Sequence, residues 1–336
     1  MKIIVPMAGR GKRMRPHTLT IPKPLLPIAG KPIVQRLVED IAGMSDEKIE
    51  EIAFIIGDFG EAVERNLLDI AGSLGAKGSI YYQDEPLGTA HAILCAEPSL
   101  NGNVIVAFAD TLFIADFKVD IHRDGIIWTH KVEDPTAFGV VKTNSEGVIT
   151  DFVEKPSTFV SDQAIIGIYY FRDGENLKNE LKYIIDNNIR DKGEYQLTSA
   201  LENMKNKGKK FFTGAVEEWL DCGNKDATVY TNQRVLEFNK HSDLINKEAQ
   251  IRNSQIIEPC FIGKGVEIIN SVIGPHVSIG QGTKIHSSII ENTIIQQQCV
   301  IRNKVIANSM IGNDVEYIGK KEDISLGDYS TIYDKI

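Results

Sequence analysis

The sequence is short of the features that stabilise secreted or membrane chains. It has four cysteines in 336 residues, at Cys95, Cys222, Cys260 and Cys299. No pair shows a CxxC or zinc-type spacing, so reduced thiols in a cytoplasmic setting are expected. No apolar run approaches the roughly 20 residues that cross a bilayer, so no membrane partner is expected. The opening Met1-Lys2-Ile3-Ile4-Val5-Pro6 is too short in its apolar part for a signal peptide and reads as a first strand. Positive charge is also in deficit. Lys and Arg number 37 against 46 Asp and Glu, a net charge of −9, which argues against general nucleic-acid binding. A small phosphorylated ligand held by a few local cations remains open. At 42% apolar and 25% charged, the composition is that of a soluble globular protein, and the length suits one large domain plus a smaller one.

What is present falls into two textures. Up to about residue 225, strand-like and helix-like stretches alternate. Ile3–Val5 reads as a buried strand, and Pro32–Ala42 has helical apolar spacing at Ile33, Leu37, Val38 and Ile41. Ile52–Ile56 reads as a strand, Glu61–Ala71 as a helix and Ile80–Gln83 as a strand; a helix near Thr89–Cys95 leads to the strand Val104–Phe108. That rhythm predicts an α/β domain whose sheet is mainly parallel, with helices on both faces. Ligands of such sheets sit beyond the carboxyl ends of the strands. From Ile126 to Phe171 the strands are less regular, and antiparallel additions are expected. Helices are expected at about Glu175–Asn187 and Leu197–Lys207.

A polar helix, roughly Lys225–Phe238, reads as a connector, and after it the texture changes. Isoleucine recurs at 257, 262, 268, 273, 279, 285, 290, 295, 301, 306 and 311, in steps of five or six. Neither a helix nor a flat strand has that period, whereas a hexapeptide β-helix does. Eleven such positions predict three to four triangular coils. The expected division is residues 1–225 for the α/β domain, 226–250 for the connector and 251–336 for the repeat domain. The polar tail Glu316–Ile336, with Tyr329–Tyr333 near its end, reads as a cap on the last coil or a surface for a partner. Coils with open ends invite association, so a homo-oligomer, dimer or trimer, is expected.

The densest chemistry follows the first strand: Ala8-Gly9-Arg10-Gly11-Lys12-Arg13-Met14-Arg15-Pro16, then Ile21-Pro22-Lys23-Pro24-Leu25-Leu26-Pro27. Glycines let backbone amides approach phosphate oxygens, and Arg10, Lys12, Arg13 and Arg15 place four cations within six residues. A triphosphate matches that density. The same residues also fit an ordinary turn with solvated charges. There is no GxxxxGK(S/T), which excludes a Walker-type loop.

With those residues the sequence resembles the sugar-phosphate nucleotidyltransferases, whose opening pattern is AGGxGTR…P.T followed by PKP(L/M)LP. Here the loop is one glycine shorter, with Lys12 where threonine is usual. The resemblance covers nearly the whole chain and implies a Rossmann-like, nucleotide-diphospho-sugar transferase fold with a C-terminal hexapeptide-repeat left-handed β-helix. It implies that Ala8, Gly9, Gly11 and Arg13 hold the nucleotide phosphates. Gln83-Asp84-Glu85-Pro86-Leu87-Gly88-Thr89-Ala90-His91-Ala92 resembles the base-reading segment, so Gln83, Pro86, Gly88 and Thr89 are expected at the nucleotide. A side-chain amide offers a donor and an acceptor to a pyrimidine imide.

Asp110 follows the strand Val104–Phe108, and Asp221 lies in Trp219-Leu220-Asp221-Cys222-Gly223, which matches the family's W.D.G segment. Together they are expected to hold Mg²⁺. Phe138-Gly139-Val140-Val141, Glu154-Lys155-Pro156 and Ile165-Ile166-Gly167 resemble the sugar-phosphate half, implicating Gly139, Glu154, Lys155 and Ile165. Gly193–Thr198 resembles a further segment, read as a helix cap or sugar-side element. Outside this context Gln83 would read as a solvated loop residue, Glu154–Lys155 as a surface pair and either Asp as a cap or turn acid.

The implied reaction joins a nucleoside monophosphate from an NTP, dTTP or UTP favoured, to a sugar 1-phosphate, glucose 1-phosphate favoured. Arg13, Lys23 and Asp110 are the expected catalytic residues. Three other readings stand beside it. One is a mannose-1-phosphate guanylyltransferase. Another is a bifunctional uridylyl- and acyltransferase with His276 or His286 as base. The third is a non-catalytic regulatory subunit, which the intact Arg13, Lys23, Asp110 and Asp221 argue against.

Overall fold

The computed structural model describes residues 1–9, 11–115, 118–320 and 322–332. The chain divides into two compact units, Met1–Thr231 and Asn232–Ile336.

The first unit is organised by β1 (Lys2–Pro6), whose Ile3, Ile4 and Val5 are fully buried. A small hairpin of β2 (Pro27–Ile28) and β3 (Lys31–Pro32) leads into α1 (Ile33–Met44). The helix starts at Ile33 because Pro32, at φ −52° and ψ 144°, is its extended cap. Ile33, Leu37, Val38, Ile41 and Met44 form its buried face. β4 (Glu51–Ile56), α2 (Glu61–Ser73), β5 (Lys77–Tyr82), α3 (Thr89–Leu94) and β6 (Val104–Ala107) continue the alternation. All residues of β4 and β6 are buried, as strands covered on both faces must be.

β1 pairs in parallel with β4 on one side and β6 on the other, and β4 pairs in parallel with β5. The chain therefore winds outward from β1 to β5, then crosses back to lay β6 on the opposite flank. Such a reversal opens a crevice past the carboxyl ends of the two central strands, β1 and β6.

β7 (Thr111–Ile114), β8 (Gly125–Lys131), β9 (Gly139–Thr143), β10 (Ile149–Glu154) and β11 (Gln163–Phe171) follow. β11 runs antiparallel to β6, β8 and β9, and β10 antiparallel to β9, so the irregular stretch does supply antiparallel additions. α4 (Gly174–Asp186) and α5 (Leu197–Asn206) precede β12 (Phe211–Ala215), which pairs in parallel with β8. β13 (Glu218–Asp221) pairs antiparallel with β7 as a separate ribbon. Ile4, Val106 and Phe171 from the sheet pack with Leu177 of α4 and Leu201 of α5 in one core.

α6 (Lys225–Phe238) spans the division between the units. It is less solvated than its composition suggests, since Thr228, Val229, Thr231, Asn232, Val235 and Leu236 are buried. Two buried hydroxyls find carbonyls: Thr228 donates to Asn224 at 2.7 Å and Thr231 to Asp221 at 2.9 Å.

The second unit is a hexapeptide-repeat β-helix. Among the described residues, short parallel strands stack in three sheets, one of five strands and two of four. That is four coils plus a fifth strand, slightly more than the isoleucine count predicted. Ile262, Ile268, Ile273, Ile279, Ile285, Ile290, Ile295 and Ile301 are buried inside, joined by Cys260 and Cys299. One expected core position is wrong. Ile257 is 39% exposed, and Ile256, paired with Ile273, faces the core instead. Side chains alternate along a strand, so seating Ile256 inward turns Ile257 outward. Corresponding inward residues Ile256, Ile273, Ile290 and Ile306 are 17, 17 and then 16 apart, which explains the mixture of five- and six-residue steps. The described tail does not cap the coil. Residues 322–332 form no helix or strand and are exposed, and Tyr317 and Ile318 of the last strand are 45% and 54% exposed. Tyr333 lies outside the described residues.

The register makes an expectation. Ile285→Ala, which hollows the coil, should cost about 2–5 kcal/mol, and Ile257→Ala well under half of that. Urea unfolding of the two full-length variants, followed by circular dichroism, compares them; equal losses would place Ile257 inside.

Candidate active site

A cavity of about 440 Å³ opens at the crevice beside β1 and β6. Ala8, Gly9, Gly11, Arg13, Lys23, Gln83, Pro86, Gly88, Thr89 and Asp110 all line it. Residues far apart in the chain and read as nucleotide-binding or catalytic thus converge on one hollow.

The loop after β1 owes its shape to two anchors. Met14 is buried within a short 3-10 turn, while Lys12 and Arg13 on the same turn stay exposed. Gly11 has φ +56°, and a Cβ there would lie 2.9 Å from Cβ of Lys23. Only glycine lets the loop and Lys23 lie this close. Thr18 fixes the contact by donating its hydroxyl to the Gly11 carbonyl at 2.8 Å. Arg10, one of the expected cations, lies outside the described residues.

The Lys23 side chain is 9% exposed, and its Nζ lies 3.1 Å from Oδ2 of Asp110, itself 49% exposed. The two acids come together through the ribbon of β7 and β13. Asp221 pairs with Thr111, and the next residue, Cys222, donates its N–H to the Asp110 carbonyl at 3.1 Å. Burial pushes the Asp221 carboxyl above its ordinary range, the Lys23 charge pulls it down, and the Asp110 charge raises it further. The acids therefore feel each other, with Lys23 near both. Asp221 does not line the cavity, but Gly223 does, and a Cβ on Gly223 would lie 2.7 Å from Asp221 Oδ2. Among the described residues no group of three or more His, Cys, Asp or Glu gathers to hold a metal. Burial pushes the Cys222 thiol up to about 12, so no thiolate nucleophile stands beside the acids.

On the flank expected to read the base, Gly88 has φ +118°, and a Cβ there would sit 2.4 Å from the Tyr195 carbonyl oxygen. The Tyr195 N–H donates to Leu87 O and the Ala90 N–H donates to Tyr195 O, both at 2.9 Å. Gln83 Nε2 donates to Gly88 O at 3.2 Å and lies 3.2 Å from His91 Nδ1. The Thr89 hydroxyl accepts from the Leu197 N–H at 2.9 Å and donates to Gln196 Oε1 at 3.1 Å. It thereby serves the first turn of α5.

Gly139, Glu154, Lys155 and Ile165 do not line the cavity but do form one cluster. Glu154 pairs with Gly139 across β10 and β9. A Cβ on Gly139 would meet Glu154 Oε2 at 3.1 Å and Ile165 Cδ1 at 3.3 Å. Lys155, at φ +42°, holds Nζ 3.7 Å from Glu154 Oε1. The ring of Phe138, beside Gly139, packs edge-on against Trp219 at 4.9 Å, two residues from Asp221. The cluster thus borders the acid ribbon.

Sequence reasoning left the role of Gly193–Thr198 undecided between cap and sugar side. Glu194 lines the cavity, and Thr198 donates to Glu154 Oε2 at 3.3 Å. Lys192 was not singled out; its Nζ donates to the carbonyls of Lys155 at 2.6 Å and Glu154 at 3.3 Å. Each contact spans more than thirty residues of chain, so no local pattern signals it.

The fold is a doubly wound α/β one, with its cavity at the switch point of the sheet. Residues 2–237 match the nucleotidyl transferase family, and residues 239–328 match the GlmU-like C-terminal hexapeptide family. The chain belongs to the nucleotidyl transferase family. It is 32% identical to a glucose-1-phosphate thymidylyltransferase of Streptomyces antibioticus, over 94% of this chain and 93% of the relative. It is 27% identical to a bifunctional protein GlmU of Methanococcus maripaludis, over 93% of this chain and 79% of the relative. A crystal structure of UDP-glucose pyrophosphorylase complexed with UDP-glucose superposes with a TM-score of 0.56 at 26% identity. That match covers 70% of this chain and 98% of the other.

The close approach at Gly88 sets a test. Gly88→Ala forces a strained φ and a clash with the Tyr195 backbone, and should weaken nucleotide binding by about tenfold or more. Isothermal titration with a nonhydrolysable NTP measures it, and unchanged affinity would remove Gly88 from the nucleotide shelf.

Proposed function

We propose that the protein transfers a nucleoside monophosphate from dTTP or UTP to glucose 1-phosphate, releasing pyrophosphate. The observation that carries this is the single junction at which Lys23, Asp110 and Asp221 meet. The base shelf of Gln83 and Gly88 lies on one flank, and the Glu154–Lys155 cluster borders the other. The thymidylyltransferase relative and the UDP-glucose pyrophosphorylase structure support both the reaction and the choice of sugar.

In this reading an oxygen of the sugar phosphate attacks the α-phosphorus of the NTP in line. The new P–O bond forms as the bond to pyrophosphate breaks. Both reactants are anions, so positioning and electrostatic stabilisation carry the reaction, with no covalent nucleophile. Lys23, nearly buried and held at the cavity wall, stabilises charge at the α-phosphate. Arg13 and the amides of Ala8, Gly9 and Gly11 hold the departing pyrophosphate. Glu154 accepts from the sugar hydroxyls, and Lys155 anchors the incoming phosphate.

Asp110 and Asp221 fit Mg²⁺. Two mutually repelling carboxylates are hard oxygen donors that a divalent cation would relieve, and phosphate oxygens and water complete its usual sphere. When bound, Mg²⁺ supplies Lewis-acid stabilisation of the phosphoryl charge. Residues 1–225 hold every group assigned here, which is the basis for proposing them as the catalytic domain. On that division 226–250 is connector and 251–336 scaffold.

The test is pyrophosphate release with dTTP, UTP, GTP, CTP and ATP against several sugar 1-phosphates. Release should be fastest with dTTP or UTP plus glucose 1-phosphate, and no release in any combination would sink the proposal. Activity should require Mg²⁺. Asp110→Asn and Asp221→Asn, each still folded, should lose roughly two orders of magnitude or more in kcat/KM. Near-normal turnover in either variant removes that residue from the metal site.

A second reading draws on the repeat domain, an added acyl transfer with a histidine base. His276 Nε2 lies 2.6 Å from Glu237 Oε1 and His286 Nε2 lies 2.8 Å from Glu267 Oε1, so both imidazoles have an orienting carboxylate. Supplying acetyl-CoA and a hexosamine 1-phosphate in the same assay separates this reading from nucleotidyl transfer alone.

The coils also support self-association as a dimer or trimer. Val272, Ile289 and Val305 stack in one outward column, with Ile289 52% and Val305 80% exposed. An exposed aliphatic ladder of this kind suits a partner surface. Light scattering should show an oligomer that Ile289→Lys with Val305→Lys reduces to monomer; a monomeric wild type would refute it.

A further inference from the structure

We infer that Asn101 is a self-modification site, able to close on Gly102 as a succinimide and reopen as aspartate or isoaspartate. The start of α4 holds it shut.

The sequence contains one Asn-Gly pair, Asn101-Gly102. Glycine has no side chain to shield its nitrogen, so this pair is the most favourable local setting for ring closure. In that reaction the Gly102 nitrogen attacks Cγ of Asn101. The new C–N bond forms as the bond from Cγ to Nδ2 breaks. Nδ2 leaves as ammonia, carrying the proton lost from the Gly102 nitrogen, and water then opens the ring at either carbonyl. The pair lies in the turn between Glu97–Ser99 and β6, with Gly102 exposed at φ +63°.

Three sets of contacts oppose closure. The Asn101 amide is held at both ends, Oδ1 accepting from Lys2 Nζ at 2.7 Å and Nδ2 donating to Pro98 O at 2.9 Å. Drawing Cγ to covalent distance from the Gly102 nitrogen breaks both bonds. That nitrogen itself donates to Glu175 Oε2 at 3.0 Å. A carboxylate is far too weak a base to remove an amide proton, and its charge opposes the amide anion that must form. On the other side, the Gly102 carbonyl accepts from the Gly174 N–H at 2.8 Å. A Cβ on Gly174 would lie 2.8 Å from the Asn101 nitrogen. The first residues of α4 thus sit directly on the Asn101–Gly102 peptide.

Reaction then requires a local opening in which the start of α4 lifts from the turn. The Glu175 contact is a hydrogen bond to a charged group, and its loss shifts that opening roughly tenfold. Modification here reaches the middle of the sheet. The Lys2 N–H donates to the Asn103 carbonyl at 3.0 Å, where β1 meets β6. An isoaspartyl link at 101 adds a methylene to the main chain two residues before that bond.

Wild type, Glu175→Ala and Glu175→Gln full-length proteins are held at mildly alkaline pH, and peptide mass spectrometry follows conversion at Asn101. A glutamine carbonyl still accepts from Gly102 but lacks the charge, whereas alanine supplies neither. Conversion should be roughly tenfold faster in Glu175→Ala than in wild type, with Glu175→Gln between them. Asn144, exposed before Ser145 in another turn, should convert at one rate in all three. Wild type unfolded in urea should convert faster than the folded protein. If Glu175→Ala fails to fold by circular dichroism, Lys2→Met, which frees Oδ1, should show the acceleration instead. Equal rates in wild type and the variant that folds overturn the inference. So does Asn144 accelerating alongside Asn101, which would report general unfolding. A folded wild type that converts as fast as the urea-unfolded chain overturns it too.

Discussion

Burying an ammonium strips it of water, a cost that a nearby carboxylate offsets, and Lys23 has one in Asp110 at 3.1 Å. Much of the first unit is arranged around that contact. Lys23 reaches the crevice because Gly11 has no side chain to hold it off. Asp110 reaches it because β6 ends three residues earlier, at the carboxyl edge of the sheet. Asp221 follows because β13 pairs with β7 in the register that sets Asp221 opposite Thr111. One cation beside two acids leaves a negative charge uncompensated, so the junction needs further positive charge before it suits an anion.

The two flanks of the site are tied by one short segment. Tyr195 bonds the backbone on either side of Gly88, Glu194 lines the cavity, and Thr198 bonds Glu154. Leu197 opens α5 with its N–H on Thr89. A helix start whose donors need partners finds one in the Thr89 hydroxyl, and the same turn holds the Glu154 carboxylate. The Gly88 loop and the Glu154 cluster therefore share one support, which suits the proposed reaction, whose rate would depend on holding two anions in line.

The repeat unit follows a different physics. Its core is a column of isoleucines from successive coils, each buried by the rungs above and below it rather than by distant elements. The shortening from 17 to 16 residues per coil falls at one corner, where six positions separate Val272 from Ser278 but five separate Ile289 from Ile294. At another corner, whose length does not change, Asn270, Ser287 and Asn303 adopt positive φ, a conformation that asparagine tolerates better than most residues.

The sequence by itself determined the alternation of strands and helices, the five- and six-residue period of the coils and the loop after β1. Each depends on neighbours a few residues apart. Helix limits were legible to within two residues for α1 because apolar spacing and Pro32 mark them. Ten of the residues lining the cavity were legible too, through motif resemblance, whereas the place of Glu194 there was not. What only the tertiary structure decided involves partners far apart in the chain. It decided that Gln83 donates to the Gly88 carbonyl and lies beside His91, that the Thr89 hydroxyl serves α5, and that Thr198 holds Glu154. It also decided that Ile256, not Ile257, faces the coil. A hydrogen bond or a strand register is fixed by the group that arrives opposite, and one chain's local pattern does not carry that partner's position.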